Sequence, residues 1–167
     1  MSDIDYSQYF DESGLKSPFY RVSLKAVVRD TEGRVLVAGD VNGTYELPGG
    51  GWEHDESMET ALRREIEEEL GVKIAEVGDV LFVYRGTEFN DGIRSPRMRI
   101  AVEAELDSYD FAFAGDEVSE ARFVDREEFL RLNWSDAERG IIECADRLWP
   151  RTGAIPSSTT SHDAISL

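Results

Sequence analysis

Residues 47–72 read LPGGGWEHDESMETALRREIEEELGV, a glycine-rich loop that runs into one amphipathic segment. Ser57 belongs to the residue types that cap helix N-termini, and Gly71 suits the left-handed position that follows a last helical turn. At about 100° per residue, one apolar stripe forms on this segment from Met58, Ala61, Leu62, Ile66 and Leu70. The spacing therefore predicts a single helix between Ser57 and Gly71.

Acidic residues interrupt the apolar stripe of this helix. The helical wheel places Glu65 and Glu69 inside the stripe and Glu68 at its edge. Burying an unpaired carboxylate is costly, so a helix that only packs against a core should not carry acidic residues there. Such breaks in a binary pattern are expected at functional sites. Three carboxylates on one helical face indicate a site for a divalent cation.

The same segment matches the pattern G-x5-E-x7-R-E-U-x-E-E-x-G-U, in which U is aliphatic, at every fixed position. The matching residues are Gly50, Glu56, Arg64, Glu65, Ile66, Glu68, Glu69, Gly71 and Val72. This pattern is the Nudix box, and the chain therefore resembles the Nudix, or MutT-like, hydrolases. At residue frequencies of about 7%, the seven strictly typed positions would coincide roughly once in 10^8 starting positions. The high Glu content raises the chance of a coincidental match by about an order of magnitude. The alternative to a Nudix box is a solvated acidic helix that matches the pattern by chance.

The resemblance implies an α/β fold, the α/β/α sandwich with a mixed central sheet. It also implies attack of water on phosphorus in the pyrophosphate linkage of a nucleoside diphosphate derivative. By resemblance, Mg2+ or Mn2+ binds Glu65, Glu68 and Glu69, with a carbonyl oxygen at or next to Gly50. Carboxylate and carbonyl oxygens are the hard ligands that Mg2+ prefers.

Arg64 is part of the matched pattern and is counted with the catalytic residues. On the helical wheel it points away from the carboxylate stripe. In similar proteins this arginine mainly braces a glutamate of the loop, here Glu53 or Glu56. We favour this structural role over a contact with phosphate.

The general base of the expected reaction has three candidates. A base must reach the attacking water within hydrogen-bonding distance. Glu65 is the first choice if it is not fully engaged with metal, and some similar proteins take the base from a late loop, where Glu117 and Glu120 lie in this chain. A solvated acidic loop explains those two residues more simply.

Arginines form the largest basic concentration after the box helix: Arg85, Arg94, Arg97 and Arg99. Guanidinium groups bind phosphate well, although surface charge that offsets nearby carboxylates is an equally good interpretation. Arg21 begins the first predicted strand, where similar proteins often recognise a base or sugar. The predicted substrate-binding residues are Arg21, Gly50, Arg85 and Arg99.

Composition limits the partners of the chain. Its 167 residues carry a formal net charge of -17, so the long-range field repels nucleic acid polymers and anionic membranes. The single Cys144 excludes an intrachain disulfide and provides no zinc cluster. No apolar run reaches membrane-spanning length and the pattern of a signal peptide is missing, so we expect a cytoplasmic protein.

The chain divides into an arm at 1–18, a domain at 19–149 and a tail at 150–167, judged by composition. The arm contains aromatic residues and the tail is rich in Ser and Thr, so either segment is a candidate contact in a homodimer. The predicted strands are 19–28, 34–38, 80–85, 98–106 and 120–124, with a polar loop at 86–96 and helices at 125–130 and 136–149.

Two rival functions are compatible with the same fold. A nucleotide-binding or sensor module with little hydrolysis commonly loses box carboxylates, and this chain keeps all three. A prenyl diphosphate isomerase relies on a cysteine upstream of the helix, whereas Cys144 lies far downstream. Both observations favour the hydrolase.

Overall fold

The computed structural model describes residues 20–90, 93–113, 117–135 and 138–149. The predicted arm at 1–18 and the predicted tail at 150–167 lie outside these ranges. Within them, no helix is long and apolar enough to cross a membrane.

The box helix, α1, spans Met58–Leu70. Its N-terminus is capped by the Ser57 hydroxyl, which accepts a hydrogen bond of 3.1 Å from the Thr60 amide. Gly71 follows in the left-handed conformation with φ of 67°, and its amide donates to the Glu67 carbonyl. The predicted helix and both of its ends are confirmed.

The described strands are β1 (Arg21–Val27), β2 (Val35–Gly39), β3 (Tyr45–Glu46), β4 (Ile74–Asn90), β5 (Ile93–Leu106) and β6 (Glu120–Val124). They form two three-stranded sheets with strand orders β1-β5-β4 and β3-β2-β6. β1 pairs with β5 in parallel, whereas the other pairs between these strands are antiparallel, so the arrangement is mixed.

Alternation along β1 divides the core into two layers. Leu24 and Ala26 pack with Leu62 and Ile66 of α1 in the first layer. The second layer lies on the other side and contains Val27. It is covered by α2 (Arg126–Phe129), a 3-10 helix (Arg139–Cys144) and α3 (Ala145–Leu148). Helices on both faces of mixed strands confirm the predicted α/β class.

The prediction of a polar loop at 86–96 is wrong, because both neighbouring strands, β4 and β5, continue into this segment. β4 and β5 pair from Gly86↔Arg97 to Asn90↔Ile93, which leaves only residues 91 and 92 between them. These two residues are Asp-Gly in the sequence, a dipeptide typical of tight hairpins. Polar composition concealed the strands because backbone pairing in a hairpin does not require an apolar face.

The predicted helix at 136–149 is replaced, in its described part, by the 3-10 helix and the single turn of α3. Gly140 lies in the 3-10 helix, and a Cβ at this position would overlap the backbone oxygen of Arg85. Glycine permits this close approach to β4 but favours an α-helix less than other residues do. The apolar positions Ile141, Ala145 and Leu148 are nevertheless buried as expected.

Candidate active site

The acidic face of α1 lies directly against the glycine loop. The amide of Gly49 donates a hydrogen bond of 2.7 Å to Oε2 of Glu69. The Glu65 carboxylate is so close to Gly50 that a Cβ on Gly50 would overlap it. Gly49 has a φ of 117°, a conformation that residues with a Cβ rarely adopt. The two glycines therefore allow loop backbone and carboxylates to meet.

The backbone of β1 holds the loop from the other side. Leu24 donates its amide to the Gly50 carbonyl at 2.8 Å, and Ala26 donates to the Pro48 carbonyl at the same distance. The predicted carbonyl ligand at Gly50 thus already accepts one hydrogen bond, and its second lone pair is left for another contact. The loop is fixed between β1 and α1.

Arg64 connects the start of the box helix to its acidic face. Its guanidinium donates to Glu56 through Nη2 at 2.6 Å and through Nε at 3.2 Å, which is the bracing contact expected of it. Nη2 also reaches the Gly51 carbonyl at 3.1 Å. Contrary to the helical wheel, Nη1 turns back toward Glu65 at 2.7 Å and Glu68 at 3.3 Å. Hydrogen bonds and charge from Glu56, followed by those from Glu65, raise the pKa of Arg64 further above its ordinary value.

The three box carboxylates differ in exposure. The side chain of Glu65 is 16% exposed and that of Glu68 is 59% exposed, while Glu69 is half-buried. Burial raises the pKa of Glu69, Lys25 opposes this rise, and the neighbouring charge of Glu65 adds to it. A cation between Glu65 and Glu69 would relieve that repulsion.

The donor set at this position consists of hard oxygen atoms, which fits Mg2+ or Mn2+ chemically. Across the described ranges, however, no group of three His, Cys, Asp or Glu side chains is arranged to hold a metal ion. Glu65 and Glu68 are instead paired with the guanidinium of Arg64.

A cleft of about 340 Å³ opens beside Glu69. Its described lining includes the carboxylates of Asp40, Glu46, Glu69 and Glu117, together with Asn42 and Ser135, and contains no Lys or Arg. Glu117 is exposed in this cleft. Glu120 instead accepts a hydrogen bond of 2.5 Å from the Tyr45 hydroxyl. Of the two late-loop candidates for the base, Glu117 therefore shares the cleft with Glu69.

Three arginines meet where β1 and β5 run side by side. Arg21 is the register partner of Arg97, and Arg99 lies two residues further along β5. Burial, together with the neighbouring charges of Arg21 and Arg99, lowers the pKa of Arg97 to about 10. Arg99 is buried, and its Nη1 forms an ion pair of 2.5 Å with Oε1 of Glu138. The structure thus groups the predicted residues Arg21 and Arg99, and it adds Arg97.

Arg85 does not join this group. It is exposed on β4 and follows Tyr84, whose hydroxyl donates to Glu138 on the face that carries Arg99. Consecutive strand residues point to opposite faces, so Arg85 faces away from Arg99. The side chain of Arg94 lies outside the described part of the chain.

Lys25 is a site residue that sequence reasoning missed. It is 2% exposed, and its Nζ donates to Gly49 O at 2.5 Å and to Glu46 at 2.9 Å. Nζ also lies 3.5 Å from Oε1 of Glu138. Burial lowers the pKa of Lys25, but Glu46 and Glu138 outweigh burial and raise it above its ordinary value. The available sequence signal was a lysine inside the apolar run VSLKAVV.

Comparison with known proteins is decisive for the family. The model of the NUDIX domain matches residues 19–143, well over half of the chain, including the whole box loop and helix. The chain belongs to the Nudix family. Its Nudix box accordingly comprises the Gly50 loop, α1 and Val72.

Two curated relatives share parts of this Nudix chain. A MutT-like protein of Streptomyces ambofaciens is 44% identical over 71 residues, which cover 42% of this chain and 46% of the relative. An RNA pyrophosphohydrolase of Saccharophagus degradans is 42% identical over 69 residues, or 40% of each chain. The matches thus span less than half the length of these relatives.

A solved Nudix-type structure supports the fold. The MutT protein from Methanosarcina mazei superposes with a TM-score of 0.64 over 77% of this chain and 92% of its own, at 21% identity. At this identity the likeness concerns the fold and not the substrate.

Proposed function

We propose that this Nudix protein is a metal-dependent hydrolase that cleaves a pyrophosphate linkage in a nucleoside diphosphate derivative. The observation that carries the proposal is the contact of Glu65 and Glu69 with Gly49 and Gly50. Two half-buried carboxylates there face a loop that has no side chain to obstruct a phosphate. A purely structural helix would gain nothing from such a face.

Glu65, Glu68 and Glu69 would hold Mg2+ or Mn2+, with the Gly50 carbonyl as a further oxygen donor. A divalent cation in this position would act as a Lewis acid and neutralise charge on the phosphates. The contribution of Arg64 is to bind Glu56 and so fix the loop at the start of α1.

Glu65 is the proposed general base, acting through a carboxylate oxygen that does not bind the metal. Its carboxylate lies against the open Gly50 backbone and accepts a hydrogen bond through Oε1 from Nη1 of Arg64. Glu117 is the second candidate because it lines the cleft beside Glu69. Glu120 is third, since the Tyr45 hydroxyl already donates to its carboxylate.

Arg21 and Arg99 are proposed to attract the substrate phosphates. In a chain of net charge -17, a local group of guanidinium charges overcomes the long-range repulsion of an anion. Arg21 suits direct contact because it is exposed and its Nη2 lies 3.2 Å from where a Gly51 Cβ would be. The predicted role of Arg85 is the weaker one, because its side chain faces away from Arg99.

The acidic cleft suggests which part of the substrate lies there. A lining of carboxylates without Lys or Arg among its described residues favours hydroxyl and amino donors over further phosphate. We therefore place the nucleoside or sugar moiety in this cleft. A mononucleotide derivative also fits the acidic chain better than an RNA 5′ end, although one relative is named an RNA pyrophosphohydrolase.

Hydrolysis of a substrate panel tests the proposal. ADP-ribose, dinucleoside polyphosphates, nucleotide sugars and oxidised dNTPs are incubated with the protein and Mg2+ or Mn2+, with a chelator as the metal-free arm. Glu69→Gln is the inactive variant, and Glu67→Gln on the exposed face of α1 is its matched control. We expect turnover with Glu67→Gln but not with Glu69→Gln or chelator.

A binding or sensor module would give a different result in the same panel. It would bind one of the compounds, as measured by calorimetry, without releasing phosphate or nucleotide above the Glu69→Gln background. That outcome would replace the hydrolase proposal.

A further inference from the structure

We propose that Lys25 is a positioning residue of the active site, which holds the Gly49 backbone and thereby the carboxylate of Glu69. This inference rests on the proposed function only in that it treats Glu69 as part of the reaction site. Lys25 lies outside the Nudix box and touches neither Glu65 nor Glu68 in any described contact.

The two peptide groups of Gly49 are held from opposite sides. Its amide donates to Glu69 on α1, and its carbonyl accepts from Nζ of Lys25 on β1. Gly49 itself has a φ of 117°, and a Cβ on Gly49 would overlap the Leu24 carbonyl. Glycine backbone is unusually free to rotate. The bond from Lys25 removes this freedom at the point where the loop meets Glu69.

The position of Nζ is itself fixed by a half-buried partner, Glu46, and a fully buried one, Glu138. Glu46 and Glu138 flank the ammonium group at 2.9 and 3.5 Å. Glu46 in turn accepts a hydrogen bond of 2.6 Å from the Ser135 hydroxyl, and Glu138 is held by Arg99 and Tyr84. Lys25 therefore connects the Gly49 backbone to side chains that the second core layer holds in place.

Stability alone does not explain a charge at this position. A buried ion pair is often no more stabilising than apolar residues of similar volume, because both charges lose their hydration. The neighbouring β1 positions Leu24 and Ala26 are apolar and fully buried. Lys25 differs from them in reaching the loop carbonyl, which an aliphatic side chain cannot bind. The ammonium group of Lys25 is thus explained by its hydrogen bond to the Gly49 carbonyl.

Lys25→Met tests the role, since it keeps the length of the side chain and removes the ammonium group. Loss of a group that orients a ligand typically costs 10–100-fold in metal affinity or activity. We expect kcat to fall by about this factor while KM changes less than about threefold. Mn2+ binding to the nucleotide-free protein, measured by calorimetry, should weaken in parallel, and this readout does not require turnover.

Leu148→Ala is the matched control for simple destabilisation. It shortens a fully buried side chain of the second core layer and removes none of the described hydrogen-bond or ion-pair partners of Lys25, Glu46 or Glu138. Both variants should lower the melting temperature, but only Lys25→Met should weaken Mn2+ binding. If Lys25→Met does not fold, the double variant Lys25→Met/Glu46→Gln is measured in its place. It removes both charges of the Lys25–Glu46 pair and so leaves no unpaired Glu46 carboxylate.

Combination with Glu69→Gln identifies the route of the effect. If Lys25 acts through Glu69, adding Lys25→Met to Glu69→Gln should cause less than a further twofold loss of Mn2+ affinity. Full additivity, or wild-type Mn2+ affinity in Lys25→Met, would overturn the proposal. A wild-type protein that binds Mn2+ but hydrolyses nothing contradicts the proposed function alone, because the binding comparison remains valid.

Discussion

The Gly49 amide donates a hydrogen bond of 2.7 Å to Oε2 of Glu69 and thereby joins the glycine loop to the box helix. The two residues stand twenty positions apart in the sequence. Their contact places an acidic side chain of α1 against backbone that only glycine allows to approach.

Gly50→Ala should abolish most hydrolysis while the protein still folds. A Cβ at this position would overlap the Glu65 carboxylate, so that side chain must leave its place. We expect kcat to fall by at least about 100-fold, the range for a displaced general base. Gly51→Ala, assayed at saturating substrate, is the comparison, because its Cβ would meet flexible side-chain ends, those of Arg21 at 3.2 Å and Glu53 at 3.7 Å. Equal activities of the two variants would contradict the role of the Glu65–Gly50 contact.

The choice of general base predicts an order among three variants. Glu65→Gln should lower kcat by about 10²–10⁴-fold, whereas Glu117→Gln and Glu120→Gln should lower it less than about threefold. The measurement is kcat at saturating substrate and metal, with folding checked by circular dichroism. A large loss in Glu117→Gln together with a small loss in Glu65→Gln would transfer the role to the late loop.

Arg64→Met should destabilise the protein as well as reduce its activity. The change removes two hydrogen bonds to Glu56, one to the Gly51 carbonyl and one each to Glu65 and Glu68. We expect the free energy of unfolding to drop by about 1–2 kcal/mol, since these bonds are charge-assisted but partly solvated. Arg131→Met breaks only an exposed pair with Glu127 and should change stability by less than about 0.5 kcal/mol. Urea unfolding of both variants provides the comparison.

Glu46 should give the wild-type protein extra stability that disappears in acid. Burial opposes its ionisation, but Lys25, Ser135 and Arg99 outweigh burial and lower the pKa of Glu46 to about 2. A carboxyl whose pKa is lower in the folded protein stabilises above its ordinary pKa of 4.5, and this contribution is lost as pH falls toward 2. Because 37% of the side chain is exposed, we expect only about 1–2 kcal/mol.

The measurement for this prediction is the stability difference between wild type and Glu46→Gln from pH 6 to pH 2. The difference should stay constant down to about pH 5 and then shrink. Asp146→Asn is a suitable comparison because Asp146 forms an exposed pair with Arg126. A difference between wild type and Glu46→Gln that does not vary with pH would contradict the assigned pKa.

Local sequence patterns predicted α1 completely, because a helix is determined by spacing within a few residues of itself. Ser57, the apolar stripe and Gly71 are all found in their expected roles. The mixed α/β class followed from strand patterns and from the Nudix resemblance. The polar hairpin from Gly86 onward was missed, since its pairing depends on the partner strand and not on local hydrophobicity.

The sequence alone determined the box, its carboxylates and hence the family, because all of these lie within one loop and one helix. Tertiary structure was needed to group Arg21 with Arg99, and to turn Arg85 to the other face, because strand register sets side-chain direction. It was also needed to reveal Lys25 beneath Gly49. The role of a lysine in an apolar strand cannot be predicted from the strand alone, because its partners, Glu46 and Glu138, are distant in the sequence. Burial of the ammonium group without such partners would be unfavourable.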